Sequence, residues 1–264
     1  FYMKFRLLLF TLPAFVTALL AVQFTDRYQT AQQLKKLTKY KQENAIRCSP
    51  DWEALKDMLE EVDIPPIPGA GSYKWEITTA NDSAQFYFNQ GINMYYGFHI
   101  IEAMASFKKA EKFDPAAAMI HWAKALAYGP NINDLGYAAS PDALAAIQKA
   151  NELSANCTVV EKGLIMAQSV RYSADSTQTR EHLNQLYADN MQKLYQEFSS
   201  SADIAALYAD ALMLQHPWDL WKINGSPKPW TPLIREVLEK LLAAQYYKNH
   251  KGTIRLKIFN NSNP

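Results

Sequence analysis

Between Ser83 and Pro115, apolar and small residues recur three or four positions apart in two successive blocks. Ala84, Tyr87, Gly91 and Met94 form the first block, and Ala103, Phe107 and Ala110 the second. This period predicts two amphipathic helices joined by a short turn, each with one apolar stripe. Small side chains at Gly91, Ala103 and Ala110 let the two stripes approach closely, while Tyr87 and Phe107 fill the space between them. Ser83 is the expected N-cap of the first helix, and Pro115 closes the second.

The spacing of the second block returns at Ala143, Ile147 and Ala150, at Tyr187, Met191 and Leu194, and at Ile234, Leu238 and Leu241. Helices preceding these are expected over Met119 to Tyr128, Val159 to Arg171 and Ala202 to Leu214. The positions within 83–115 are similar to those of the tetratricopeptide (TPR) repeat, a helix-turn-helix unit of about 34 residues. Residues 83–245 are thus expected to form an all-α, TPR-like solenoid of about four irregular helical hairpins, which bury together a core that one hairpin could not. Two connections are longer than a repeat turn: GPNINDLGYAASPD, from Gly129 to Asp142, and HPWDLWKINGSPKPWTP, from His216 to Pro232. Insertions in such arrays gather on loops and often shape the binding face. Thr231 and Pro232 read as the cap and first turn of the last helix.

Ahead of the repeats the pattern changes three times. Lys4 and Arg6 precede an apolar run from Leu7 to Val22, so residues 1–25 read as a signal peptide or, in the competing reading, an uncleaved membrane anchor. Residues 26–63 form a charged helical segment in which Trp52, Leu55, Leu59 and Val62 share one face. Residues 64–82 contain IPPIPGAGSYKW, where three prolines and two glycines forbid helix and predict an extended linker or arm lying on the domain. The GAG triplet lacks the strand and helix that a phosphate-binding loop needs. Residues 246–264 form an irregular C-terminal tail.

Charge and chemistry narrow the function classes. Lys+Arg number 27 against 26 Asp+Glu, a net charge of +1, which leaves no electrostatic footprint for nucleic acid. Cys48 and Cys157 lack the nearby ligands of a zinc or dithiol motif; a long-range disulfide or two packing thiols remain open. The five histidines show no metal-ligand spacing, and no serine or cysteine sits in a nucleophile context. No cofactor is expected. Aromatic residues are plentiful in the first helices and the two long loops, and most should fill the core. Trp122, Asn131, Asn133, Trp218, Asp219, Trp221, Glu102 and His121 are the candidate partner-binding residues, with rings for stacking and amides as paired donors and acceptors.

Taken together, the PPIPGAGSYKWEI arm, FNQGINMYYGF, EAMASFKKAEKFDP, HWAKALAYGPNIN and the PWDLW and PKPWTP loop segments resemble bacterial TPR proteins that are mostly exported or lipoprotein-like and of unassigned function. The resemblance covers about Pro65 to Leu242. His99 and Ile100 stand where that family carries Asn-His, and Lys251 where it carries proline; the C-terminus reads as a truncated or degenerate version. The expected function is a non-enzymatic scaffold of the cell envelope, periplasmic or envelope-associated, binding a protein, peptide or ligand on a concave face edged by the two long loops. A hydrolase or metal-dependent enzyme using Glu102, His121 and Asp219, and a membrane-anchored structural component, are the alternatives.

Overall fold

The computed structural model describes Gln32, Lys35, Lys36, residues 50–133 and residues 140–249. The expected signal or anchor segment 1–25, Cys48 and the tail beyond Asn249 lie outside the described residues. The described chain is all-α, with an isolated antiparallel bridge between Trp221 and Pro227 as its only β feature. None of its described helices is long and apolar enough to cross a membrane. It divides into two units, the first ending at Tyr128 and the second beginning at Gly129.

The first unit contains α1 (Trp52–Glu61), α2 (Asp82–Tyr96), α3 (Ile100–Phe113) and α4 (Ala118–Tyr128). Asp51 caps α1 by accepting from the Ala54 N–H at 3.2 Å. Leu55, Leu59 and Val62 are its buried stripe, as the sequence predicts, and Trp52 meets the Tyr128 ring edge-on at 5.1 Å. The N-cap of α2 is Asn81 and not Ser83: Asn81 Oδ1 accepts from the N–H groups of Ser83 and Ala84, both at 3.0 Å. Ser83 is already inside the helix, so its amide needs a partner and cannot have its own side chain supply the cap.

Helices α2 and α3 form the expected hairpin, and the reason lies at Gly91. A Cβ placed there would sit 2.3 Å from Phe107 Cε1 and 2.5 Å from Cδ1. The Phe107 ring lies directly on the α2 backbone and is fully buried. Gly91→Ala is expected to destabilise the first unit by about 1–3 kcal/mol, because the ring has no space to retreat into. Urea unfolding followed by circular dichroism measures this, and an unchanged midpoint would refute the close approach. Helix α4 packs on α3, and Met104, Met119, Ile120 and Trp122 complete the core.

The second unit contains α5 (Pro141–Leu153), a 3-10 turn over Ser154–Asn156, α6 (Val159–Ser169), α7 (Arg180–Glu197), α8 (Ala202–Leu214) and α9 (Thr231–Asn249). Each helix packs on its successor. The starts follow capping chemistry: Ser140 with Pro141 for α5, Thr179 for α7 and Ser201 for α8. At α6 the box is reciprocal, with Thr158 Oγ1 accepting from the Glu161 N–H at 3.2 Å and Glu161 Oε2 accepting from the Thr158 N–H at 2.7 Å.

One sequence expectation changes here. In α9 the buried pair is Ile234 and Val237, while Leu238 and Leu241 are half-buried. A four-residue and a three-residue step are equally helical, and only the neighbouring α8 selects between them.

A buried polar network runs through the second unit. Arg171, fully buried at the end of α6, donates to Pro130 O and to Gln168 Oε1 at 3.4 Å, and its guanidinium carbon lies 4.4 Å from the Tyr187 ring centre. Tyr172 donates to Gly129 O at 2.6 Å and accepts from Gln168 Nε2 at 2.7 Å. Arg180 donates to Arg171 O at 2.5 Å and to Asn184 Oδ1 at 3.1 Å, and Asn184 donates to Leu214 O at 3.4 Å. The network ties residues 129 and 130 to α6, α7 and the C-terminus of α8. Burial pushes the Tyr187 hydroxyl up to about 12, with nearby Arg171 opposing the rise.

Candidate functional site

The connection between α8 and α9 is an ordered hairpin. Its entry is a turn in which the Asp219 N–H donates to His216 O at 3.1 Å. Pro217 occupies the second position of this turn and Trp218 the third, with φ at +59°. A turn with proline second and a positive φ third is type II, and its third position favours glycine because a Cβ is strained there. Here it carries the largest side chain of all.

Beyond the turn two short extended stretches pair. Lys228 N–H donates to Leu220 O at 3.0 Å, Lys222 N–H to Ser226 O at 2.9 Å, and Gly225 N–H to Lys222 O at 2.9 Å. Asn224 Oδ1 accepts from the Ser226 amide at 3.1 Å and hydroxyl at 2.8 Å, fixing the tip, where Gly225 takes φ +80°. The base is tied down as well. Trp230 Nε1 donates to Asp219 O at 2.8 Å, Thr231 Oγ1 donates to Leu220 O, and the Trp230 ring stacks on His216 at 3.7 Å between centroids. Thr231 therefore binds the hairpin with its hydroxyl, where the sequence suggested an ordinary helix cap. Lys228 pairs with Asp219 at 3.0 Å, a half-exposed contact that contributes little to stability. Burial pushes the His216 imidazole below its ordinary value, with Asp219 opposing and Lys228 adding to the shift. A neutral ring at neutral pH suits the stack on Trp230.

Outside this framework stand three large apolar side chains, with the exposed Lys222 among them. Trp218 is 71% exposed, Trp221 is 49% exposed, and Ile223 at the tip is fully exposed. Beside the hairpin base, α7, α8 and α9 enclose a groove of about 210 Å³ whose walls include Tyr208, His216, Trp230, Gln185, Asp189 and Gln192. Gln185 Nε2 donates to Asp189 Oδ1 at 2.7 Å on its floor. Its walls combine aromatic faces with amides, one imidazole and one carboxylate.

The eight residues picked out by sequence are divided between the two units. Trp218, Asp219 and Trp221 come together on the hairpin, Asp219 as a structural partner of Lys228 and Trp230. Asn131 accepts from the Asn133 N–H at 2.9 Å in a local turn beside residues 129 and 130, where Arg171 donates to Pro130 O. In the first unit Trp122 is 1% exposed and meets Trp75 edge-on at 5.4 Å, so its ring belongs to the core and offers no face to a ligand. His121 is likewise buried, its Nε2 2.9 Å from Pro115 O and its Nδ1 3.6 Å from Glu111, which also holds Lys124. Glu102 lies in the first turn of α3, half-buried. Among the described residues no three His, Cys, Asp or Glu side chains converge as a metal site, and Cys157 is a buried thiol raised above its ordinary value chiefly by that burial.

Sequence reasoning assigned His216 and Trp230 no joint role and missed the groove on α7. The sequence reading took 216–232 only as a long loop; Pro217 and Asn224-Gly225 are the turn signals it left unused, while the His216 stack on Trp230 depends on chain closure. The chain matches no protein-family model, no curated protein and no solved structure.

Proposed function

We propose that this protein is a non-enzymatic binding scaffold, TPR-like in its stacked helical hairpins, that takes a protein or peptide partner on the 216–230 hairpin and the adjoining groove. The observation that carries the reading is Trp218: an exposed indole held at a left-handed turn position that glycine would occupy at lower cost. Folding gains nothing from a large side chain there. Trp218, Trp221 and Ile223 together form an exposed apolar surface on a hydrogen-bonded support, which suits aromatic anchoring of a partner with little ordering cost. A place in the cell envelope belongs to the same proposal, and Lys4, Arg6 and the apolar run from Leu7 to Val22 support it.

The test separates binding from folding. Trp218→Gly with Trp221→Ala should keep or slightly raise the melting temperature, because the turn strain is relieved, while partner capture from the native envelope falls at least tenfold. Equal recovery of the same bound proteins by the wild-type and double-variant chains would rule the hairpin out as the binding surface.

A further inference from the structure

The extended arm ahead of α2 is held in an unusual way. Side-chain amides on one face of α2 act as if they were the backbone of a neighbouring strand. Asn93 Oδ1 accepts from the Tyr73 N–H at 3.1 Å, and Asn93 Nδ2 donates to Tyr73 O at 2.7 Å. Asn89 Oδ1 accepts from the Trp75 N–H at 2.9 Å. Gln85 Nε2 donates to Trp75 O at 2.9 Å, and Gln85 Oε1 accepts from the Ile77 N–H at 3.0 Å. The register steps by two residues along the arm and by four along the helix, antiparallel to it. Gln90 repeats the pattern on the earlier part of the arm, accepting from the Ile67 N–H at 2.8 Å and donating to Pro65 O at 3.2 Å.

Three features of this contact bear on what it can do. The ladder reads main-chain groups, which every extended peptide presents in the same geometry. Between the buried ends Ile64 and Ile77 no arm residue is fully buried, and Trp75 is the main side-chain anchor, set between Phe88 and Trp122 at 6.3 and 5.4 Å. Held between its ends by neutral hydrogen bonds and one aromatic anchor, the arm makes contacts that a competing extended segment can reproduce. The close approach also depends on one residue, since a Cβ at Gly71 would lie 2.1 Å from Asn93 Oδ1 and its φ is +118°.

From these observations we propose that the Gln85, Asn89, Gln90 and Asn93 ladder is a peptide-binding site that the chain's own arm occupies, and that an extended partner segment with an aromatic side chain at the register of Trp75 replaces it. The ladder sits in the first unit and is independent of the hairpin proposal, so either can fail alone.

Gly71→Ala in the full chain releases the arm from Asn93 while leaving the ladder and core unaltered. A fluorescent peptide of residues 64–77 should bind this variant saturably, and bind the wild-type chain at least tenfold more weakly because its own arm competes. Adding Gln85→Ala and Asn93→Ala to the variant, or replacing Trp75 by Ala in the peptide, should each weaken binding at least tenfold. Tyr73→Pro, which removes the amide donated to Asn93, provides a second way to release the arm should Gly71→Ala fail to fold. The proposal is overturned by absence of saturable binding to both released variants, by equal binding to the wild-type chain, or by binding that ignores the ladder substitutions. It is also overturned if the released arm exchanges between two copies to give a dimer that takes up no peptide.

Discussion

Trp122→Ala is expected to destabilise the first unit by about 3–5 kcal/mol, the range for removing a large aromatic side chain from a packed core. The indole lies among Trp75, the α3 side chains and the neighbouring turns of α4, and almost none of it reaches solvent. Its Nε1 has no hydrogen-bond partner among the described residues, so Trp122→Phe keeps most of the packing, breaks no polar contact and should cost distinctly less. Denaturant unfolding of the three chains, followed by near-ultraviolet circular dichroism, measures both effects. If Trp122→Ala kept the wild-type midpoint and instead lost a bound partner, the ring would be a binding residue and the packing argument would be wrong. The same substitution weakens the seat of Trp75, so it should also loosen the arm.

A loss of comparable size is expected in the second unit for Arg171→Leu, about 3–5 kcal/mol, the range for removing one partner of a buried charged contact. Pro130 O and Gln168 Oε1 lose a charged donor that water cannot replace at that depth. Asp210, whose carboxyl is pushed up by burial and drawn back by Arg171, loses the nearest compensating charge. The guanidinium also covers the face of Tyr187. Arg171→Lys should recover only part of the loss, because an ammonium is a point charge and cannot serve two acceptors while lying flat on a ring. Thermal unfolding compares the three chains; a midpoint for Arg171→Leu within experimental error of wild type would show that the network contributes no net stability. The Asn131 turn provides an internal check, since Arg171 holds the adjacent Pro130 carbonyl and that segment should become the first to exchange its amides.

These two residues show how differently sequence and structure bear on function here. Trp122 was a candidate binding ring by sequence, and its neighbours placed it in the core. Arg171 gave no sequence signal at all, being one of 27 basic residues in a nearly neutral chain. The amide ladder was equally hidden. Gln85, Asn89 and Asn93 read as the polar face of an amphipathic helix, and that face becomes a strand surrogate only when the arm lies on it.

The sequence by itself determined the helical elements, because a 3.6-residue period, capping side chains and proline breaks are local properties that few residues suffice to specify. It also determined the α2/α3 hairpin through Gly91 and Phe107, the non-helical arm, and the existence of a special loop at 216–232. Tertiary structure alone decided which of α9's apolar positions are buried and which aromatics face outward. Those outcomes depend on residues far apart in the chain meeting in space. An indole at position 122 and one at position 218 are chemically the same group, and only the packing around each makes the first a core residue and the second an exposed anchor.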